Sequence, residues 1–301
     1  MKYHIYLLGL LAVLSAACSE SKEDIRRTDL DHDEVFFATI ENASTRVYTD
    51  ENLHVLWNAD DRVSIFNRIT INQEYRFTGE DGDGNGTFTK VPGSNPGTGY
   101  SLDYVYSVYP YQESTIMSSY GALTVTLPEK QAYRENSFGR GANTMIAVSR
   151  DDELMFKNLC GYLVVRLYGA NATITSIALK GNNNEPLAGV ATVIAVLNGA
   201  PVVVLNSGMA KEIKLVFEDE VTLGTTSETP TSFWFAVPPT TFNNGITLVI
   251  NDKQGYQYEK TTSKPLEIKR NILTPTAALD IDKMKFSPGQ NEGTGDNYVE
   301  P

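Results

Sequence analysis

The stretch FWFAVPPTTFNNGITLVI, residues 233–250, decides the fold class. Two short apolar runs, Phe233 to Val237 and Ile246 to Ile250, flank Asn243-Asn244-Gly245. Each run has the length and the aromatic and β-branched content of a strand, and Asn and Gly tolerate the backbone angles that reverse a chain. Working outward, the same grammar recurs. Further strands are predicted at Val35 to Ile40, His54 to Trp57, Arg62 to Phe66, Tyr75 to Phe77, Tyr104 to Tyr109 and Leu123 to Leu127. A second set follows at Tyr162 to Tyr168, Thr173 to Leu179, Gly189 to Val196, Val202 to Leu205, Ile213 to Phe217, Tyr256 to Lys260 and Leu266 to Ile268. Gly181-Asn182-Asn183-Asn184 and Lys253-Gln254-Gly255 punctuate them. Beyond the first twenty residues no sustained 3.6-residue apolar period occurs, so the prediction is an all-β protein of sandwiches or barrels.

The N-terminus has to be set aside before the fold is read. Lys2, the apolar Ile5 to Leu14 and the small Ser15, Ala16 and Ala17 form a signal peptide, residues 1–17. Its apolar core is too short for a membrane-spanning helix, which needs about 20 residues. Leu14-Ser15-Ala16-Ala17-Cys18 resembles a bacterial lipobox with its leucine one place upstream, and this implies lipidation of Cys18 and an anchor in the outer membrane. Several acyl chains on one cysteine hold a protein to a bilayer without any spanning helix. The next sixteen residues, SESKEDIRRTDLDHDE, have almost no large apolar side chain to bury, so 18–34 reads as a flexible acidic tether. Ser19-Glu20 and Glu23-Asp24 resemble the acidic signals that send Bacteroidetes lipoproteins to the cell surface.

The whole chain carries a net charge of minus 12, and loss of Lys2 with the leader makes the remainder minus 13. With no basic stripe to release counterions, nucleic acid is a disfavoured partner. Cys160 is the only cysteine besides Cys18, so no internal disulfide is expected, and its setting LCGYLVV marks it as a core residue. The mature length of about 280 residues suggests two domains. The segment SRDDELMFKNLCGYL is the expected boundary, with charged Arg150 to Glu153 in solvent and Phe156 and Leu159 opening the second core.

WNADDRVSIF (57–66), VYSVYPY (105–111), LPEKQAY (127–133), FKNLCGYLVVRL (156–167) and FWFAVPPTTFNNGITLVI (233–250) together resemble the fimbrillin family of Bacteroidales, in an order that spans nearly the whole mature chain. The resemblance implies two transthyretin-like β-sandwich domains, 35–153 and 154–286, followed by a polar tail, 287–301. It also implies a subunit of a type V pilus, delivered as a surface lipoprotein, with other pilus subunits and a host or bacterial surface receptor as partners. In that family an arginine-specific protease releases the first strand. Here that strand is Val35, Phe36, Phe37, Ala38, Thr39 and Ile40, and the arginine just after it is Arg46. Arg46 is therefore either the cleavage site or an ordinary loop arginine, with Arg26 and Arg27 as further candidates. Removing a strand bares backbone groups and an apolar groove that another chain's strand can fill. The chain departs from the family's stalk subunits at its end: FSPGQNEGTGDNYVEP makes a poor donor strand, which points to a tip or accessory subunit. The stretch Thr276 to Phe286 keeps an alternation that can pair.

No catalytic residue and no cofactor are expected. Only His32 and His54 outlast the leader, and no motif supports a Ser-His-Asp arrangement around either. Asp60-Asp61, Asp151-Asp152 and Glu218-Asp219-Glu220 are acidic pairs, but neighbours on a strand point to opposite faces. Asp81-Gly82-Asp83-Gly84-Asn85-Gly86 copies half of a calcium loop, while Pro92 stands where the bidentate Glu belongs. A glycine-rich hairpin turn is the expectation there, and no metal site. Tyr104, Tyr106, Tyr109 and Tyr111, with Trp57 and Trp234, read as core packing or as a sugar-stacking platform. The second reading would make the chain a surface glycan-binding lipoprotein of a polysaccharide-utilisation system.

Overall fold

The computed structural model describes residues 35–41, 44–45, 55–93, 97–98, 103–170 and 172–288. Cys18, Arg26, Arg27, His32, Arg46 and His54 lie outside the described residues, as do the leader, the tether and residues 289–301. The described part is built from strands with one short 3-10 turn, Ile281–Lys283, so the all-β expectation holds. No helix among the described residues is long and apolar enough to cross a membrane.

Seven strands close on themselves in the order Val35–Ile40, Glu153–Asn158, Met145–Ser149, Val105–Tyr109, Arg62–Phe66, Gln73–Phe77 and Asn85–Lys90. An open two-sheet sandwich was expected for this half. The closure comes from Val35–Ile40, which pairs antiparallel with Asn85–Lys90 on one side and parallel with Glu153–Asn158 on the other. Alternation along each strand decides what points inward. Val63 and Ile65 face the interior, while Phe66 on the same strand faces outward into a second core. The interior is aromatic: Trp57 stands edge-on to Phe88 at 5.0 Å, Phe156 at 5.2 Å and Tyr109 at 5.5 Å. Trp57 itself, expected at the end of a strand, makes only an isolated bridge to Asp83.

A four-stranded sheet, Val202–Val204, Gly189–Ile194, Ala122–Leu127 and Ile116–Met117, lies over the outside of this barrel. Leu123, Val125 and Val193 from the sheet share one apolar cluster with Phe66, Tyr106, Val108 and Ile146 from the barrel. The rest of the chain is a sandwich. One sheet contains Gly161–Tyr168, Thr231–Val237 and Ile272–Asp280, and the other contains Thr173–Gly181, Glu212–Thr222 and Ile246–Asp252. Leu163, Val165, Phe233 and Phe235 from the first meet Ile177, Leu179, Leu215 and Ile250 from the second.

The two sequence halves interleave. Lys130–Arg134 pairs parallel with Glu212–Thr222 in the sandwich, and Ala122–Leu127 pairs antiparallel with Gly189–Ile194. Buried Gln131 fastens this crossing, since its Nε2 donates to the Ala236 carbonyl at 2.8 Å and its Oε1 accepts from the Ala236 amide at 3.0 Å. The expected boundary at 153/154 falls at the start of strand Glu153–Asn158. Phe156, expected in the second core, packs inside the barrel, and Leu159 joins the cluster between barrel and overlying sheet. Charges at 150–153 solvate the turn before this strand and do not end the domain, because Leu154 and Phe156 alternate inward behind them.

Candidate functional site

The segment VFFATIE, residues 35–41, contains the first strand singled out by the sequence. Its alternation is strict at the start: Phe36 and Ala38 are buried, while Val35 and Phe37 are 45% and 42% exposed. Phe36 meets Tyr75 edge to face at 5.2 Å. Ala38 sits across the ladder from Gly86. A side chain at Gly86 would come within 2.6 Å of the Phe77 ring, so that ring already fills the space and position 38 accepts little beyond a methyl group. The strand is thus held by the inward Phe36 and Ala38, by half-buried Ile40 packed against the same interior, and by ladder bonds on both edges. At its ends the Phe37 amide donates to the Asp152 carbonyl at 2.8 Å, and the Glu41 amide donates to the Phe156 carbonyl at 2.9 Å.

Beyond the last rung the segment enters a polar knot. The Glu41 Oε1 accepts from the Asn158 amide at 2.5 Å and from Arg270 Nη1 in a short ion pair. Arg270 Nη1 also donates to the Asn158 carbonyl at 2.9 Å. The Asn158 side chain is buried, with its Nδ2 donating to Asn271 Oδ1 at 2.8 Å and its Oδ1 accepting from Asn143 Nδ2 at 2.5 Å. Asn271 holds a left-handed backbone, φ 57°, where asparagine is among the better tolerated residues, and its amide donates to the Cys160 carbonyl at 2.8 Å. The chain then reaches Ser44–Thr45, which runs parallel to Ile272 and Leu273, one residue before Arg46. Residues 35–45 therefore touch the barrel through Glu153–Asn158 and the sandwich through Ile272–Asp280. Sequence reading located the strand and missed the knot, whose members are up to 229 positions apart and leave no local pattern.

Cys160 is buried beside this knot as a free thiol, and burial pushes its pKa up to about 12. The thiolate is the reactive form. Iodoacetamide at pH 8 is therefore expected to leave Cys160 unmodified in the folded protein and to label it fully in 6 M guanidinium, as read by peptide mass spectrometry.

The other candidate groups separate. Asp60 and Asp61 diverge: Asp60, with φ 64°, pairs at the surface with Arg76 at 3.0 Å, whereas Asp61 is 2% exposed. The Asp61 carboxylate accepts from the Asn58 amide at 2.8 Å, Tyr109 Oη at 3.1 Å and Arg140 Nε at 2.9 Å, so it is fully engaged as a structural brace. Burial, and then the Asp61 charge, push Tyr109 well above the usual tyrosine range, so it stays a neutral donor. Asp81 and Asp83 accept from the amides of Ala59 and Glu80 at 2.7 and 2.9 Å around the turn that leads into Asn85–Lys90. Among the described residues no group of three or more His, Cys, Asp or Glu gathers as a ligand set. The aromatics do not form one platform: Trp57 and Tyr109 lie inside the barrel, while Tyr106 belongs to the cluster outside it.

No family model and no curated protein match the chain. Among solved structures, it is similar to a candidate cell adhesion protein from Bacteroides ovatus, at 14% identity over 85% of this chain and 95% of that one, with a TM-score of 0.49. It is also similar to a candidate cell adhesion protein from Bacteroides uniformis, at 16% identity over 84% and 95%, with a TM-score of 0.47. The tip fimbrial protein Mfa3 from Porphyromonas gingivalis aligns at 9% identity over 84% of this chain and 98% of that one, with a TM-score of 0.29.

Proposed function

We propose that this chain is a fimbrillin-like pilus subunit with a structural and adhesive role and no catalytic one. On this reading Cys18 carries the lipid that holds the precursor at the outer membrane, and the tether lifts two transthyretin-derived domains from the surface. Cleavage at Arg46 frees Val35–Ile40, and a strand from another subunit takes its place. The subunit sits at the tip or in an accessory position, where it meets a surface receptor.

The observation that carries the proposal is the slot itself. Val35–Ile40 lies between two strands, offers the interior buried Phe36 and Ala38 and half-buried Ile40, and leads within six residues to an arginine. A strand so placed can leave without dismantling the rest of the core, and its departure bares two edges that favour β-augmentation. The test is limited digestion of the protein from Asp24 onward with a trypsin-like protease, followed by N-terminal sequencing and native mass spectrometry. The expected product begins at Val47, lacks residues 35–46 and forms higher oligomers. Resistance at Arg46, or loss of the strand without gain of a partner, would overturn the polymerising role.

A further inference from the structure

We propose that the emptied slot selects its incoming strand by a carboxylate, placed three residues beyond a small inward-facing residue and read jointly by Arg270 and the Asn158 amide. This rests on the strand-exchange reading above and names the chemistry of the partner. The occupant is a segment of a different chain with the pattern large apolar, any, Ala or Gly or Ser, any, apolar, Asp or Glu. Phe36, Ala38, Ile40 and Glu41 supply that pattern in the resident strand.

The argument runs from what departure leaves behind. Taking residues 35–41 away empties the pocket against Tyr75 and the narrow place beside Gly86 and Phe77. It also strips the Asn158 amide of its acceptor and Arg270 of its carboxylate partner. The guanidinium keeps its bond to the Asn158 carbonyl, so it remains aimed at the place Glu41 occupied. The Asn158 side chain cannot turn to help, because its Oδ1 and Nδ2 are committed to Asn143 and Asn271. A strand that fills the inward apolar positions but lacks the acid leaves a part-buried cation and an amide unpaired, and hydrogen bonds to charged groups are among the costliest to leave unmade. Arg270 thus acts as a gauge of register as well as of identity. A one-residue slip would turn every inward side chain outward and carry the acid off the guanidinium.

The chain's own C-terminal stretch does not meet the specification. Between Ile281 and Pro301 no large apolar residue is followed at the second position by Ala, Gly or Ser and at the fifth by Asp or Glu. Phe286 is followed by Pro288 and Asn291, which would put an imino acid in the ladder and an amide at the guanidinium. Residues 281–301 of a second copy therefore do not meet the slot's specification.

The test introduces a site-specific protease sequence between residues 47 and 53, so that nicking does not depend on Arg46. Labelled peptide VFFATIENAST, residues 35–45, is exchanged into the nicked protein and its affinity compared with that of the Glu41→Gln peptide by anisotropy. At least tenfold weaker binding of the Gln peptide is expected. That difference should vanish in Arg270→Gln protein and return in part in Arg270→Lys. Equal affinity of the two peptides for the unsubstituted protein would overturn the carboxylate rule while leaving strand exchange intact. Failure of every peptide to enter would overturn the exchange reading with it. Should Arg270→Gln not fold, the peptide comparison alone still decides.

Discussion

Trp57→Ala is expected to cost about 3–5 kcal/mol, the range for truncating a large buried aromatic. The ring is 1% exposed and meets Phe77, Phe88, Tyr109 and Phe156, with centroids between 5.0 and 5.8 Å. These rings come from four different strands of the closed sheet. Trp57 is itself outside the ladders, fixed by one amide bond to the Asp83 carbonyl at 2.8 Å and by its own carbonyl, which accepts from Gly82 at 2.9 Å. The hole left by alanine therefore lies at the meeting point of the barrel wall, where collapse would have to move several strands together. Against a total stability of about 5–15 kcal/mol, such a loss is about a fifth or more. Urea titration followed by far-ultraviolet circular dichroism should show a lower midpoint with an unchanged slope. Trp57→Phe should recover most of it, since the indole Nε1 has no partner among the described residues and its removal strands nothing. Equal losses for the two variants would mean that the ring's bulk is not what holds the wall.

Arg140→Gln is expected to cost about 3 kcal/mol or more, as when one member of a buried ion pair is removed. Asp61 keeps its bonds from Asn58 and Tyr109 but loses the Arg140 guanidinium. Arg140 also donates through Nη2 to the Ala59 carbonyl at 2.8 Å, so the turn carrying Asp60 loosens at the same time. The informative variant is the double one. Asp61→Asn combined with Arg140→Gln removes the stranded charge, and its loss should fall well short of the two single losses added together. Strict additivity would show that the two groups are not coupled.

Much of the architecture was legible because strand alternation is a local property. The runs at 35–40, 62–66, 123–127, 233–237 and 246–250 fall on strands. Strands Met145–Ser149 and Glu153–Asn158 were not foreseen, since four charges at 150–153 look like a linker. The alternation was present there too, with Glu153, Met155 and Lys157 on one face and Leu154, Phe156 and Asn158 on the other. The polar Lys130–Arg134 was missed for a different reason. Its pairing partner Glu212–Thr222 lies far along the chain, and Gln131 has value only because the Ala236 backbone waits beside it. At the site, the strand Val35–Ile40 could be read from residues 35–40 alone. The grip of Arg270 on Glu41 could not, because an ion pair across 229 positions exists only once two separate ladders have brought its ends together.

The parallel ladder that seals the barrel also sets a timetable. Phe37 aligns with Glu153 and Ile40 with Phe156, partners more than a hundred residues apart. A growing chain exposes the first of these long before the second exists, so the ring stays open through about the first half of synthesis, with two bare edges exposed to any neighbour. Sealing is a late event, and contacts of such long range form slowly. Folding must therefore pass through an unfinished circle, whose open edges are the same two that the proposed strand exchange would bare again.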